Sequence, residues 1–211
     1  MRTRYLVACL LLIAAACAAI VYCWPVLPER VPLHWNSVGE VDRHGPRAAL
    51  WLLGPGMMAL FAALGLALPK LTPRRLDVSQ FESTYYYVCG VVVCLAGYVF
   101  ALVLIACVTH AVNMQRALPA GMFVLLVLIG NPMGKVRPNA FIGIRTPWTL
   151  GSARVWYATH RLAARLMVAS GLLGLCLLWL GAPHGLLLFV LLAWAPLAVG
   201  YSLLLYKRLP Q

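Results

Sequence analysis

The strongest constraint on this chain is a series of six apolar stretches: Tyr5–Leu27, Ala48–Pro69, Tyr86–Val108, Val112–Gly130, Leu162–Leu180 and Leu186–Tyr206. Each is close to the ~20 residues that an α-helix needs to cross the hydrocarbon of a bilayer. The whole chain is 63% hydrophobic and 10% charged, whereas soluble domains carry about a quarter charged residues. A water-exposed surface cannot be covered with so little polarity, so the chain belongs to the membrane class. The expected fold is an all-α polytopic membrane protein with six transmembrane helices and two structured polar loops.

Two of the stretches need an argument of their own. The first follows Arg2 and Arg4 and resembles a signal peptide, but it is longer than an h-region and no A-x-A site ends it. It reads as a retained span. The fourth has a short uninterrupted apolar core that begins only after Arg116 and Pro119. It crosses if Arg116 snorkels to the interface, and is otherwise re-entrant or tilted. The fifth and sixth are joined by GAPHG, residues 181–185, which permits only an antiparallel hairpin.

The net charge of +12 would suggest nucleic acid in a soluble protein. In a membrane protein the same excess marks cytoplasmic loops, so no direct nucleic-acid partner is expected. With the N-terminus inside, the inner segments carry Arg2 and Arg4, then Lys70, Arg74 and Arg75, then Lys135, Arg137, Arg145, Arg154, Arg161 and Arg165, then Lys207 and Arg208. The outer loops carry only Arg30, Arg43, Arg47 and Arg116. This asymmetry predicts N-in, C-in topology. The chain divides into an N-terminal half, 1–110, and a C-terminal half, 111–211, each with three spans and one polar loop. No repeat relates the halves, so an inverted-repeat transporter has no support.

The seven cysteines lie in or beside apolar stretches and form no CxxC pair, which suits inert packing residues. The outer polar loop, 27–47, holds Glu29, Glu40 and Asp42 with His34 and His44. His34, Asp42 and His44 are candidate zinc ligands by residue type, but their spacing matches no metal motif. A folded loop with a turn at Gly39 and local hydrogen bonds is the simpler expectation. No HExxH, GxSxG or paired intramembrane carboxylates are present. Neither a cofactor nor a metal is expected, and no nucleophile marks the chain as an enzyme. His110 and His184 fall at outer span ends.

The inner loop is built differently. Pro132 and Pro138 break the helix after span four, and glycines at 134, 143 and 151 allow tight bends. Phe141, Ile142, Ile144 and Trp148 are too apolar for a solvated loop, so they lie on the headgroup boundary or pack back on the bundle. Ser152 reads as the N-cap of a helix that runs into span five. On that helix Arg154, Arg161 and Arg165 share one face, with Trp156 nearly opposite. After Glu82 the chain contains no acid. Two readings follow: an interfacial anchor of cations plus an aromatic, or a surface whose arginine forks bind carboxylate or phosphate. In the sharper form of the second, packing holds the Arg145 guanidinium in place beside Asn139 and Thr146.

The stretch GNPMGKVRPNAFIGIRTPWTLGSARVWYATHR, residues 130–161, resembles the signature of the SdpI family, membrane immunity proteins against a secreted, membrane-attacking bacterial peptide toxin. Asn131, Lys135, Pro138, Asn139, Gly143, Arg145, Thr146, Pro147, Trp148, Trp156 and His160 carry the likeness. The upstream LPERVPLHWNSVGEVDRHG resembles the domain of unknown function that commonly precedes it, through Pro32, His34, Asn36, Gly39 and Asp42. The resemblance implies residence in the bacterial cytoplasmic membrane, toxin resistance and, in signalling members, capture of a cytoplasmic transcriptional repressor. His34, Trp35, Asn36, Gly39 and Asp42 would then meet the toxin. Asn139, Arg145, Thr146, Trp148, Arg154, Trp156, His160 and Arg161 would meet the repressor or anionic lipid headgroups. The alternative is an intramembrane enzyme or lipid-handling protein. Its headgroup site would use Arg145 and His160 as anion clamp and acid–base group.

Overall fold

The computed structural model describes residues 1–36, 39–71, 76–109 and 111–209. Arg74 and Arg75, counted above among the inner cations, and His110, assigned to an outer span end, lie outside the described residues. Among those described, six helical segments are long and apolar enough to cross a membrane. They are α1 (Arg2–Cys23), the α2–α3 segment, α4 (Glu82–Thr109), α5 (Met114–Met133), α7 (Ala153–Trp179) and α8 (His184–Arg208). The short helix α6 (Pro147–Gly151) precedes α7. The second segment runs from α2 (Ala49–Trp51) through a π-helical turn, Leu52–Gly56, into α3 (Met57–Ala67). Pro55 has no N–H to give an α-helical ladder, and the wider turn absorbs that loss.

The weak fourth stretch is a continuous helix of 20 residues. Asn113 starts it by accepting the Arg116 amide on its side chain at 3.2 Å, the bonding of an N-cap asparagine. Arg116 is exposed on the first turn. The fifth helix begins at Ala153, well before the apolar run at Leu162, because Ser152 caps it through the Val155 amide.

The chain forms two compact units, Met1–Ala67 with Cys89–Gly121, and Leu68–Val88 with Met122–Gln211. They cut across the sequence halves 1–110 and 111–211, because α4 and α5 each contribute one end to either unit.

In the first unit α1 packs on α3, and the Tyr5 hydroxyl donates to the Ala62 carbonyl at 3.2 Å. Gly54 and Gly65 let helices meet closely: a Cβ at Gly54 would strike the Phe100 ring, and one at Gly65 would strike the Tyr5 hydroxyl. The loop between α1 and α2 is more regular than a turn with local bonds. It is a two-stranded antiparallel hairpin, β1 (Arg30–Trp35) and β2 (Val41–Pro46), with Val31 opposite Gly45 and register shifts on either side of His34. Its base is tied by Arg47, whose guanidinium donates to the Trp24 and Leu27 carbonyls and lies 4.5 Å from the Trp24 ring centroid.

In the second unit α7 and α8 form the antiparallel hairpin that the short connection requires. The end of α7 is a Schellman turn: the Ala182 amide reaches the Leu177 carbonyl and the Gly181 amide reaches Leu178. Gly181 has φ +75°, the left-handed conformation this motif requires. The α5 end packs on α7 through Phe123, fully buried, and through Gly130, Gly171 and Gly174. The short helix α6 sits against both α7 and α8.

Candidate functional site

The basic loop between α5 and α7 is organised by the side chain of Asn139, which is fully buried. Its Nδ2 donates to the Arg137 carbonyl at 2.8 Å and to the Ile142 carbonyl at 2.9 Å. Its Oδ1 accepts the Phe141 and Ile142 amides, both at 2.7 Å. An asparagine amide has two donors and an oxygen with two lone pairs, so every bond it can make is made. The amide substitutes for a turn of secondary structure and curls residues 137–142 around itself.

The next support is His160, also fully buried. Its Nε2 lies 3.0 Å from the Ile144 amide, which can only donate. The proton of a neutral imidazole must therefore sit on Nδ1, which is 2.7 Å from the Trp156 carbonyl. Both ring nitrogens are engaged with backbone. Gly143 makes the approach feasible: its φ is +117°, and a Cβ there would collide with His160 Nε2. Trp156 stacks on the His160 ring at a centroid distance of 4.0 Å, and its indole donates to the Val136 carbonyl at 2.8 Å. Trp156 is fully buried, so it is not the interfacial aromatic that the anchor reading supposed. It is a strut beneath the loop.

Beyond Arg145 the chain enters α6 through a reciprocal cap. The Thr149 amide donates to Thr146 Oγ1, and the Thr146 amide donates to Thr149 Oγ1, with Pro147 at the first helical position. Thr149 Oγ1 lies 2.7 Å from the Ile144 carbonyl, joining the cap to the loop segment held by His160. Trp148 then donates its indole N–H to Ser202 Oγ on α8 at 2.8 Å, and the Ser202 hydroxyl donates to the Val199 carbonyl at 2.6 Å. Phe141 faces Tyr85 with ring centroids 6.4 Å apart. Phe141 and Trp148 therefore pack back on the bundle.

The cations are placed apart from this scaffold. Lys135, Arg137, Arg145, Arg154, Arg161 and Arg165 are all exposed. Arg137 is engaged, donating to the Tyr157 hydroxyl at 2.6 Å. Among the described residues no ion pair involves any of them. Arg145, expected beside Asn139 and Thr146, is exposed, and its neighbours Ile144 and Thr146 are held by hydrogen bonds to His160 and Thr149. The acid Asp77 accepts the Ser79 amide at 3.2 Å. The Ser79 side chain, with the Ser79 and Val78 amides, holds its carboxyl below the usual range.

In the hairpin, Asn36 closes the turn: its amide donates to the Glu40 carbonyl and its Oδ1 accepts the Glu40 amide, both at 2.9 Å. Gly39 lies against Gln115, since a Cβ there would sit 2.6 Å from Gln115 Cγ. His34 Nδ1 and Asp42 Oδ1 pair across the strands at 2.5 Å, with both side chains about half exposed. Trp35 is half-buried. Among the described residues no three His, Cys, Asp or Glu are grouped to hold a metal, so His34, Asp42 and His44 are not assembled as a ligand set.

The structure thus joins Asn139, Thr146, Trp148, Trp156 and His160 in one network and leaves Arg145, Arg154 and Arg161 on its surface. Sequence reasoning missed Thr149 and Ser202. The signal for Ser202 was a lone hydroxyl in an apolar helix, a place where a polar group needs a partner. The signal for Thr149 was its position three residues after a threonine, in capping-box register.

Residues 135–202 match the model of the SdpI/YfhL protein family. Residues 11–59, which contain the hairpin, match a domain of unknown function, DUF1648. The chain is similar to a protein named immunity protein SdpI from Bacillus subtilis (strain 168), with 22% identity over 185 residues, covering 87% of this chain and 86% of the relative. No solved structure matches it. The network from Asn139 to Ser202 lies entirely within the segment that matches the SdpI/YfhL family model, and the DUF1648 match lies ahead of it, in a chain whose described residues form six helical segments long and apolar enough to cross a membrane.

Proposed function

We propose that this chain is an immunity protein of the bacterial cytoplasmic membrane that protects its host from a secreted, membrane-attacking peptide toxin. The observation that carries the reading is the similarity to immunity protein SdpI across 87% of the chain, which spans both polar loops. In this reading the termini and the basic loop face the cytoplasm. The hairpin, with His34, Trp35, Asn36, Gly39 and Asp42, faces outward toward the toxin. The exposed cations receive an acidic face of a cytoplasmic repressor, or anionic lipid headgroups. Recognition is favoured over acid–base chemistry at His160 because both its ring nitrogens are occupied by backbone. The test is expression in a toxin-sensitive host, with survival measured during toxin exposure. Survival above the empty-vector control is the expected result. Unchanged killing, with the protein present in the membrane at normal level, overturns the proposal.

A further inference from the structure

Three arginines of α7 stand at different depths. Arg154, Arg161 and Arg165 fall within about 40° around the helix and span about 17 Å along it. The far end of α7 is marked by Trp179, which is 84% exposed, and by the Schellman turn. Exposed tryptophans of spans settle at the headgroup level. Counting back ~20 residues from Trp179 fills the hydrocarbon and reaches His160. Arg161 therefore lies at the hydrocarbon boundary and Arg165 about 6 Å inside it, while Arg154 stands about 10 Å outside. At Arg161 the turn after α5 comes close: a Cβ at Gly134 would lie 3.6 Å from Arg161 Cγ. Lys135, the next residue, is exposed.

An arginine inside the hydrocarbon must snorkel, and its guanidinium then ends in the phosphate layer. No acid of this chain follows Glu82, and among the described residues neither Arg161 nor Arg165 has an ion pair. A soluble acidic protein can reach Arg145 and Arg154 but not the level of Arg165. The one anion abundant at that depth is a lipid phosphate, which a guanidinium fork binds bidentately. We propose that Arg161 and Arg165, flanked by Lys135, form a binding site for the phosphate of an anionic phospholipid on the α5–α7 face. The proposal deepens the lipid-facing part of the functional reading and rests on it.

The test is native mass spectrometry of the full-length protein released from nanodiscs that contain equal phosphatidylglycerol and phosphatidylcholine. Retained lipid should be mainly phosphatidylglycerol. Its retention should fall roughly thirtyfold in Arg161→Gln/Arg165→Gln, from two charges near the surface. Arg43→Gln, an exposed hairpin position, should change it less than about threefold, since that residue lies outside the proposed site. Should the double glutamine variant fail to insert, Arg161→Lys/Arg165→Lys keeps the charge and loses the fork, and retention should still fall. Equal retention of the two lipids would overturn both the site and the lipid-facing reading. A preference for phosphatidylglycerol that the 161/165 variants leave unchanged overturns the site alone. Displacement of the lipid by millimolar inorganic phosphate would mark a soluble-anion site and also overturn it.

Discussion

Replacing Asn139 with alanine should release the basic loop without disturbing the spans. The side chain makes four hydrogen bonds of 2.7 to 2.9 Å to the Arg137 and Ile142 carbonyls and the Phe141 and Ile142 amides. Each such bond contributes a net of about 0.5–1.5 kcal/mol, so opening of the loop should become easier by about 2–6 kcal/mol. The lower end corresponds to roughly a thirtyfold loss of protection. The assay is amide hydrogen exchange of the protein in bilayer nanodiscs, followed on peptides that cover residues 137–146. Exchange should accelerate at least that much at Phe141 and Ile142. Ile144, held separately by His160, should accelerate less. Peptides from α7 beyond Leu162 should not change. If Phe141 and Ile142 exchange as slowly in Asn139→Ala as in wild type, the side chain is not what shapes the loop, and the account of the site fails at its first step.

Gly143→Ala places a Cβ against His160 Nε2 and forces a non-glycine residue to φ +117°. Strain of about 1–3 kcal/mol and a displaced Ile144–His160 bond should show as faster exchange at Ile144, with Phe141 and Ile142 much less affected. Ser202→Ala removes the acceptor of the Trp148 indole, which should cost about 1 kcal/mol and speed hydrogen exchange of the Trp148 indole N–H; an unchanged exchange rate would remove the tie between α6 and α8. In a cysteine-free background, single cysteines at exposed Glu40 and Leu150 should label from opposite sides of the membrane. Labelling from one side would refute the N-in, six-span topology.

The six spans were legible in the sequence because hydrocarbon is a uniform solvent that demands one thing of a helix. The same uniformity hid how they pack. In a soluble helix, polarity separates the buried face from the exposed one. Along α8, Leu187 and Val190 are buried while Leu188 and Phe189 are exposed, and hydropathy does not distinguish them. The site was legible where the chemistry was local. Ser152 was identified as a cap, and Asn139 and Gly143 lie in a stretch whose prolines and glycines announce bends. It was hidden where partners are distant in sequence: Trp148 meets Ser202 across 54 positions, and Trp156 meets Val136 across 20. Trp156 was misread for that reason. A tryptophan beside arginines suits an interface equally well until its N–H is seen to end on a carbonyl.

The bonds that shape the basic loop join neutral groups: an asparagine amide, a neutral imidazole, two threonine hydroxyls and two indoles. The charge is carried by other residues, almost all of them outside that framework. Form and field are therefore separable in this loop. Salt that screens the arginines weakens what the loop attracts and leaves its shape intact. For the same reason, these surface cations can be replaced while the backbone beneath them keeps its course.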